Sequence, residues 1–159
     1  MMTELDKKFM RRAIELAQEG MNSNAGGPFG AVVVRNEEII AEGYNKVTST
    51  NDPTAHAEVT AIRKACEILA TFQLEDCILY TSCEPCPMCL GAIYWARFKK
   101  VFYALEQADA ATIGFDDEFI YQEIDKKPQD RKITFEPILR EEALPVFQEW
   151  DKKENRTDY

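Results

Sequence analysis

Apolar residues Leu5, Phe9, Ala13, Leu16 and Ala17 recur at helical spacing between Thr3 and Glu19, and Gly20 stops the pattern. This predicts an opening helix that buries one face. The run Ala25-Gly-Gly-Pro-Phe-Gly30 follows, and its glycines and proline suit a turn better than a helix or strand. Ala31–Arg35 and Ile39–Ala41 read as two strands joined by a polar turn at Asn36–Glu38, a hairpin. Val47–Thr54 is polar and reads as loop, whereas Ala55–Ala70 is rich in Ala, Ile, Leu and Lys and predicts a helix. Further along, Cys77–Thr81 and Lys100–Ala104 read as short strands flanking a helix over Met88–Ala96, with Pro87 at its start. Asp116–Ile124 predicts a helix, Ile133–Leu139 a last strand and Leu144–Lys152 a final helix. Strands alternating with helices over the later two-thirds predict a three-layer α/β/α fold. The opening hairpin makes its central five-stranded sheet mixed rather than all parallel.

No repeat or low-complexity tract interrupts the pattern, so residues 1–159 are expected to form one domain ending in a polar tail, Asp151–Tyr159. With 45% hydrophobic and 30% charged residues the chain can fill an ordinary core, which excludes disordered and fibrous classes. Lys plus Arg number 19 against 28 Asp plus Glu, a formal net charge of -9. A phosphate-binding surface needs clustered cations, so neither nucleic acid nor a membrane is expected as a partner. No apolar run reaches the length of a membrane span, and residues 1–12 lack the apolar stretch of an export signal. A cytoplasmic chain is expected.

The cysteines change the picture. There are five, and three of them, Cys83, Cys86 and Cys89, fall close together. An odd count without an export signal argues against a disulfide framework, and so tight a cluster reads as metal binding. Cys66 and Cys77, in apolar surroundings, read as small buried hydrophobes. Two motifs then stand out: His56-Ala-Glu58, holding the one histidine of the chain, and Pro85-Cys-Pro-Met-Cys89. Zinc favours imidazole nitrogen and thiolate sulfur, and a catalytic site keeps three protein ligands and an open fourth position. Cys86 and Cys89, three residues apart, put both sulfurs on one face of a first helical turn, where the partial positive charge favours thiolate. His56 supplies a third ligand. Glu58 is a carboxylate able to take a proton from water and return it to a substrate. It shares a site with His56 only if the histidine stands at the very start of its helix. An alternative enlists Cys83 as a fourth ligand and closes the site as a structural one. That arrangement leaves Glu58 without a role and crowds three sulfurs onto consecutive turns.

H-x-E followed by P-C-x-x-C is the motif pair of zinc-dependent nucleobase deaminases. The segments that carry it, Asn51–Arg63 and Thr81–Arg97, resemble the cytidine deaminase superfamily and, within it, the bacterial guanine deaminases. The resemblance extends to Gly114–Tyr121 and to the C-terminal Tyr159. It implies that His56, Cys86 and Cys89 hold one zinc ion per subunit, that Cys83 is an unliganded neighbour, and that Glu58 is the catalytic proton shuttle. The implied reaction is hydrolytic deamination of guanine to xanthine and ammonia in purine salvage. A base pocket is implied too. Asn45 would meet the purine edge and Phe29 would stack on the ring, with Ala57 and Trp95 as further contacts. Asp116 or Asp117, with Asp117 preferred, would accept the base's N–H groups. Tyr159 would lie in a tail that closes over the site, exchanged between the subunits of a homodimer. From the residues alone, Asn45 reads also as a turn residue, and Phe29 and Trp95 as core. A tRNA adenosine deaminase would share the motifs, but a polyanion calls for a cationic face. Cytosine or another small aminated heterocycle would suit the same chemistry.

Overall fold

Helix α1 (Glu4–Asn22) opens the structure, a computed structural model that describes residues 2–159 and leaves Met1 outside the described residues. Thr3 caps the helix: its hydroxyl accepts the Asp6 N–H at 3.1 Å while the Asp6 carboxylate accepts the Thr3 N–H at 2.6 Å. Phe9, Ala13, Leu16, Ala17 and Gly20 form the buried stripe. Gly20 therefore does not stop the helix, as its place in the pattern predicts. A Cβ there would stand 2.8 Å from the Tyr44 side chain, so glycine lets the last turn lie against that ring.

Strands β1 (Gly30–Arg35) and β2 (Glu38–Tyr44) pair antiparallel, as the expected hairpin. Asn36 and Glu37 make its turn with φ of 50° and 64°, a hand that matches the twist of the strands. The polar stretch after β2 contains one short helix, α2 (Val47–Thr50), where loop alone was expected. Then come α3 (Ala57–Leu69), β3 (Ile78–Cys83), α4 (Pro87–Ala96) and β4 (Lys100–Leu105). The sheet runs β2-β1-β3-β4, with β1 and β3 antiparallel and β3 and β4 parallel.

Both faces of β1 are covered, which is why Ala31-Val-Val-Val34 is an unbroken apolar run. Val32, Val34 and Tyr80 pack on Phe9, Ala13 and Leu16 of α1. Ala31 and Val33 point the other way, into Ala57, Ala61 and Ala65 of α3 and Ile93 and Ala96 of α4. Three layers result. The apolar residues buried on α3 are all alanines, Ala57, Ala61 and Ala65, so this helix lies close to the sheet: a Cβ on Gly43 would stand 2.5 Å from the Ala57 carbonyl oxygen. That close approach sets the first turn of α3 against β2, from where Glu58 reaches Thr81 on β3.

After β4 comes α5 (Gln107–Thr112), six residues that are too short to leave a periodic signal. Two compact units make up the chain, one ending at Asp117 and the other running over Glu118–Tyr159. The second unit holds α6 (Glu118–Ile124), a tight turn at Pro128–Asp130 and α7 (Arg140–Lys152). Its segment 133–139 corrects the expectation of a fifth strand: these residues join no strand ladder, and the sheet has four strands among the described residues. Pro137 lacks the N–H a ladder needs, and Ile133 and Ile138 remain 73% and 83% exposed, so the alternation has no face to bury. No helix among the described residues is long and apolar enough to cross a membrane.

Candidate metal centre

A loop braced by its own side chains delivers His56. Asn51 takes the left-handed conformation (φ 52°), and Asp52 Oδ1 accepts both the N–H (2.8 Å) and the hydroxyl (2.7 Å) of Thr54. The Lys46 N–H donates to the Ala55 carbonyl at 2.9 Å and ties this loop to the end of β2. His56 then stands as the N-cap of α3 with extended backbone (φ -67°, ψ 160°). Cys86 holds the same position on α4 (φ -64°, ψ 168°), followed by Pro87. Neither side chain caps its own helix. Both turn instead toward a common point.

His56 Nδ1 lies 3.5 Å from Cys86 Sγ and 3.5 Å from Cys89 Sγ. All three donor atoms fall within 4.8 Å of one another. A tetrahedral zinc ion with sulfur at about 2.3 Å and nitrogen at about 2.0 Å spaces those two atoms about 3.5 Å apart. The donor set therefore fits the ion without rearrangement. Cys83 stands outside the triad: its thiol donates to the Glu106 carbonyl at 3.8 Å, and burial pushes it up to about 11. A closed four-ligand site is not formed among the described residues.

Glu58 follows at the second helical position of α3 and is 6% exposed. Its Oε1 accepts the Thr81 hydroxyl at 3.1 Å and its Oε2 accepts the Cys89 thiol at 3.4 Å. Burial raises its pKa above the ordinary carboxylate range. Because His56 is the N-cap, the two residues share a site that opposite faces of a regular helix would deny them. The Cys89 thiol and then His56 hydrogen-bond Cys86 and hold it at about 4, while Cys89, as the donor, is driven far above the usual thiol range. The Cys86 sulfur in turn raises His56. Metal binding needs both sulfurs as thiolates and a neutral His56 ring, so it releases the protons these groups carry.

The residues named for a base pocket scatter more widely. Asn45 is buried, and its Oδ1 accepts the N–H groups of Gly27 (3.3 Å) and Val47 (3.1 Å), which leaves the side-chain NH₂ as its remaining polar group. Half-buried Phe29 meets Phe115 edge-on, ring centroids 4.9 Å apart. Ala57 gives its methyl to the core, so only its first-turn N–H is left for a ligand. Asp117 is half-buried and its Oδ1 accepts the Gln107 side-chain amide at 2.6 Å; Asp116 is exposed. Burial raises the Asp117 pKa, the Gln107 amide opposes that rise, and the Cys86 sulfur adds to it. Trp95 is 67% exposed on α4, on a different face from buried Cys89 and Ile93, and the structure does not bring it to the triad. Tyr159 is 69% exposed in the second unit. Sequence reasoning missed Thr81, Glu84 and Gln107. A polar Thr81 directly after the apolar run Ile78–Tyr80 was the one local signal among them.

The model of the cytidine and deoxycytidylate deaminase zinc-binding region matches residues 3–105, which contain the triad and Glu58. The chain belongs to this deaminase family. It is 63% identical, over 95% of its length and 97% of the relative's, to the guanine deaminase of Bacillus subtilis (strain 168). A crystal structure of guanine deaminase from Bacillus subtilis superposes with a TM-score of 0.94 at 62% identity, covering 96% of this chain and 98% of that one. Identity to a tRNA-specific adenosine deaminase of Aquifex aeolicus (strain VF5) is 37%, over 79% of this chain and 81% of the relative. The deaminase family match ends where β4 ends, whereas the similarity to the guanine deaminase spans both units.

Proposed function

We propose that this deaminase is a zinc-dependent guanine deaminase that hydrolyses guanine to xanthine and ammonia in purine salvage. The observation that carries the reaction class is the buried Glu58 carboxylate against a His-Cys-Cys donor set of zinc-binding geometry. The substrate rests on 63% identity to a guanine deaminase over 95% of the chain. His56 Nδ1 and the two sulfurs of Cys86 and Cys89 would hold the ion, which supplies a Lewis acid that makes water acidic enough to ionise near neutral pH. Glu58, kept basic yet protonatable by its burial, takes one proton from water and gives it to a ring nitrogen, then carries the second from the added hydroxyl to the amino group, which departs as ammonia. Thr81 holds one of its oxygens, so the other is left to move the proton. Asn45 offers its NH₂ to the acceptor edge of the base, Phe29 offers a ring face, and Asp117 accepts the base's N–H groups. Ala57 contributes its backbone N–H.

Both units act as one catalytic domain in the cytoplasm, residues 1–159, with 151–159 and Tyr159 closing the site. A homodimer with an exchanged C-terminal segment accords with the apolar surface the chain leaves open. Tyr94, Trp95 and Leu105 in the first unit are 76%, 67% and 53% exposed, and Ile138 and Phe147 in the second are 83% and 77% exposed. In that assembly Trp95 lines the site from a subunit contact. The test is ammonia release by zinc-quantified protein from guanine, guanosine, cytosine, adenine and a tRNA in parallel. Release from guanine alone is expected. Release from tRNA alone would transfer the assignment to the other branch of the family, and release from none would refute a deaminase reaction on these substrates.

A further inference from the structure

We propose that Gln107 is a positioning residue for Asp117, holding one carboxylate oxygen so that the other is presented to the N–H edge of the purine base. The inference rests on the functional reading above, in which Asp117 accepts from the base. Gln107 Nε2 donates to Asp117 Oδ1 at 2.6 Å, and both residues are half-buried. Gln107 is itself held at its other end: its backbone N–H donates to Glu84 Oε2 at 3.1 Å. Glu84 immediately precedes Pro85-Cys86, and its own N–H donates to the Leu105 carbonyl at 2.8 Å, where the parallel strands β3 and β4 end. A continuous path therefore runs from the metal-ligand loop through Glu84 and Gln107 to Asp117.

A primary amide suits this place. It donates to the carboxylate without neutralising it, whereas a Lys or Arg would form an ion pair that competes with the base. A carboxylate left unheld keeps its rotamer freedom, and the incoming base then has to order it. The same bond separates the neighbouring aspartates, since Asp116 is exposed and the Gln107 amide lies on Asp117.

Four proteins test the idea: the parent, Gln107→Leu, Asp117→Asn and the double variant, each with zinc content and melting temperature measured alongside kinetics on guanine. In the parent background Gln107→Leu is expected to raise KM about 10-fold, the effect of one hydrogen bond to a charged group, with kcat within about 2-fold. Calorimetric binding of xanthine should weaken to the same extent. In the Asp117→Asn background the same substitution should change KM and xanthine binding by less than about 2-fold, because the partner through which it acts is gone. Gln107→Glu keeps the size and replaces the donor by a second carboxylate, and it too should raise KM. An equal effect of Gln107→Leu in both backgrounds, or an unchanged KM beside Asp117, overturns the inference while guanine turnover stands. A parent that releases no ammonia from guanine overturns the functional reading and the inference with it.

Discussion

Replacing Glu58 by Gln probes the proton-carrying role most directly, because the fold tolerates it. The amide has the size of the carboxylate, so nothing is overpacked in a site that is 6% exposed. Its oxygen can still accept the Thr81 hydroxyl, which lies 3.1 Å from Oε1, and its NH₂ can donate to the Cys89 sulfur, 3.4 Å from Oε2. No metal ligand is touched, so zinc content should stay at one per chain. Losing a positioned general acid–base is expected to lower kcat about 10²- to 10⁴-fold. In energy that is about 3 to 5.5 kcal/mol of transition-state stabilisation. The metal-free proteins give an independent reading. The folded pKa of Glu58 is raised from 4.5 by burial, so its contribution to stability is present below the unfolded value and lost as pH rises through the folded one. Gln does not titrate, and metal-free Glu58→Gln should gain on metal-free parent in denaturant midpoint as pH rises above 4.5. Guanine loss followed spectroscopically at matched zinc content is the assay. Parent-like kcat would refute the shuttle role, and lost zinc would show that Glu58 helps to hold the metal.

Cys83→Ala should retain one zinc per chain and near-parent turnover, with a stability loss of about 1 kcal/mol from the vacated sulfur volume; zinc loss would restore the four-ligand site. Tyr80→Phe removes the hydroxyl that donates to Asp6 Oδ1 at 2.6 Å, the largest of the causes that hold Asp6 at about 2 instead of 3.8. That stabilisation is present above pH 3.8 and lost as pH falls toward about 2, so the gap between the two proteins in denaturant midpoint should close over that window. A gap of the same size at pH 7 and pH 2 would show that packing alone is at work.

Local signals served well wherever the structure-forming cause is local. The buried stripe of α1 followed from its spacing, and so did the hairpin, because side chains three, four or two residues apart must share a face. The same logic failed at Gly20, where the deciding contact is Tyr44 from another element. It failed at 133–139, whose alternation is that of a strand but which joins no strand ladder among the described residues. Within the site, His56, Glu58, Cys86 and Cys89 were legible because their chemistry is rare and their spacing tight. Thr81, Glu84 and Gln107 were not, since a threonine, a glutamate and a glutamine carry no such mark until their partners are known.

By itself, then, the order of residues determined the long helices, the hairpin and the strands that flank α4, and it supplied the chemical groups able to bind a metal and carry a proton. One histidine, one carboxylate two residues on and a pair of cysteines three apart admit few other uses. Only the tertiary structure decided the distances. Two helix starts 30 residues apart in the chain converge because α3 and α4 pack on one face of the sheet, and this sets both sulfurs 3.5 Å from one ring nitrogen. The parallel register of β3 and β4 then brings Glu84 beside Gln107, whose side-chain amide lies on Asp117. The reason is physical: helix and turn preferences act over a few residues, whereas hydrogen bonds between distant groups exist only once the sheet has fixed which backbones lie side by side.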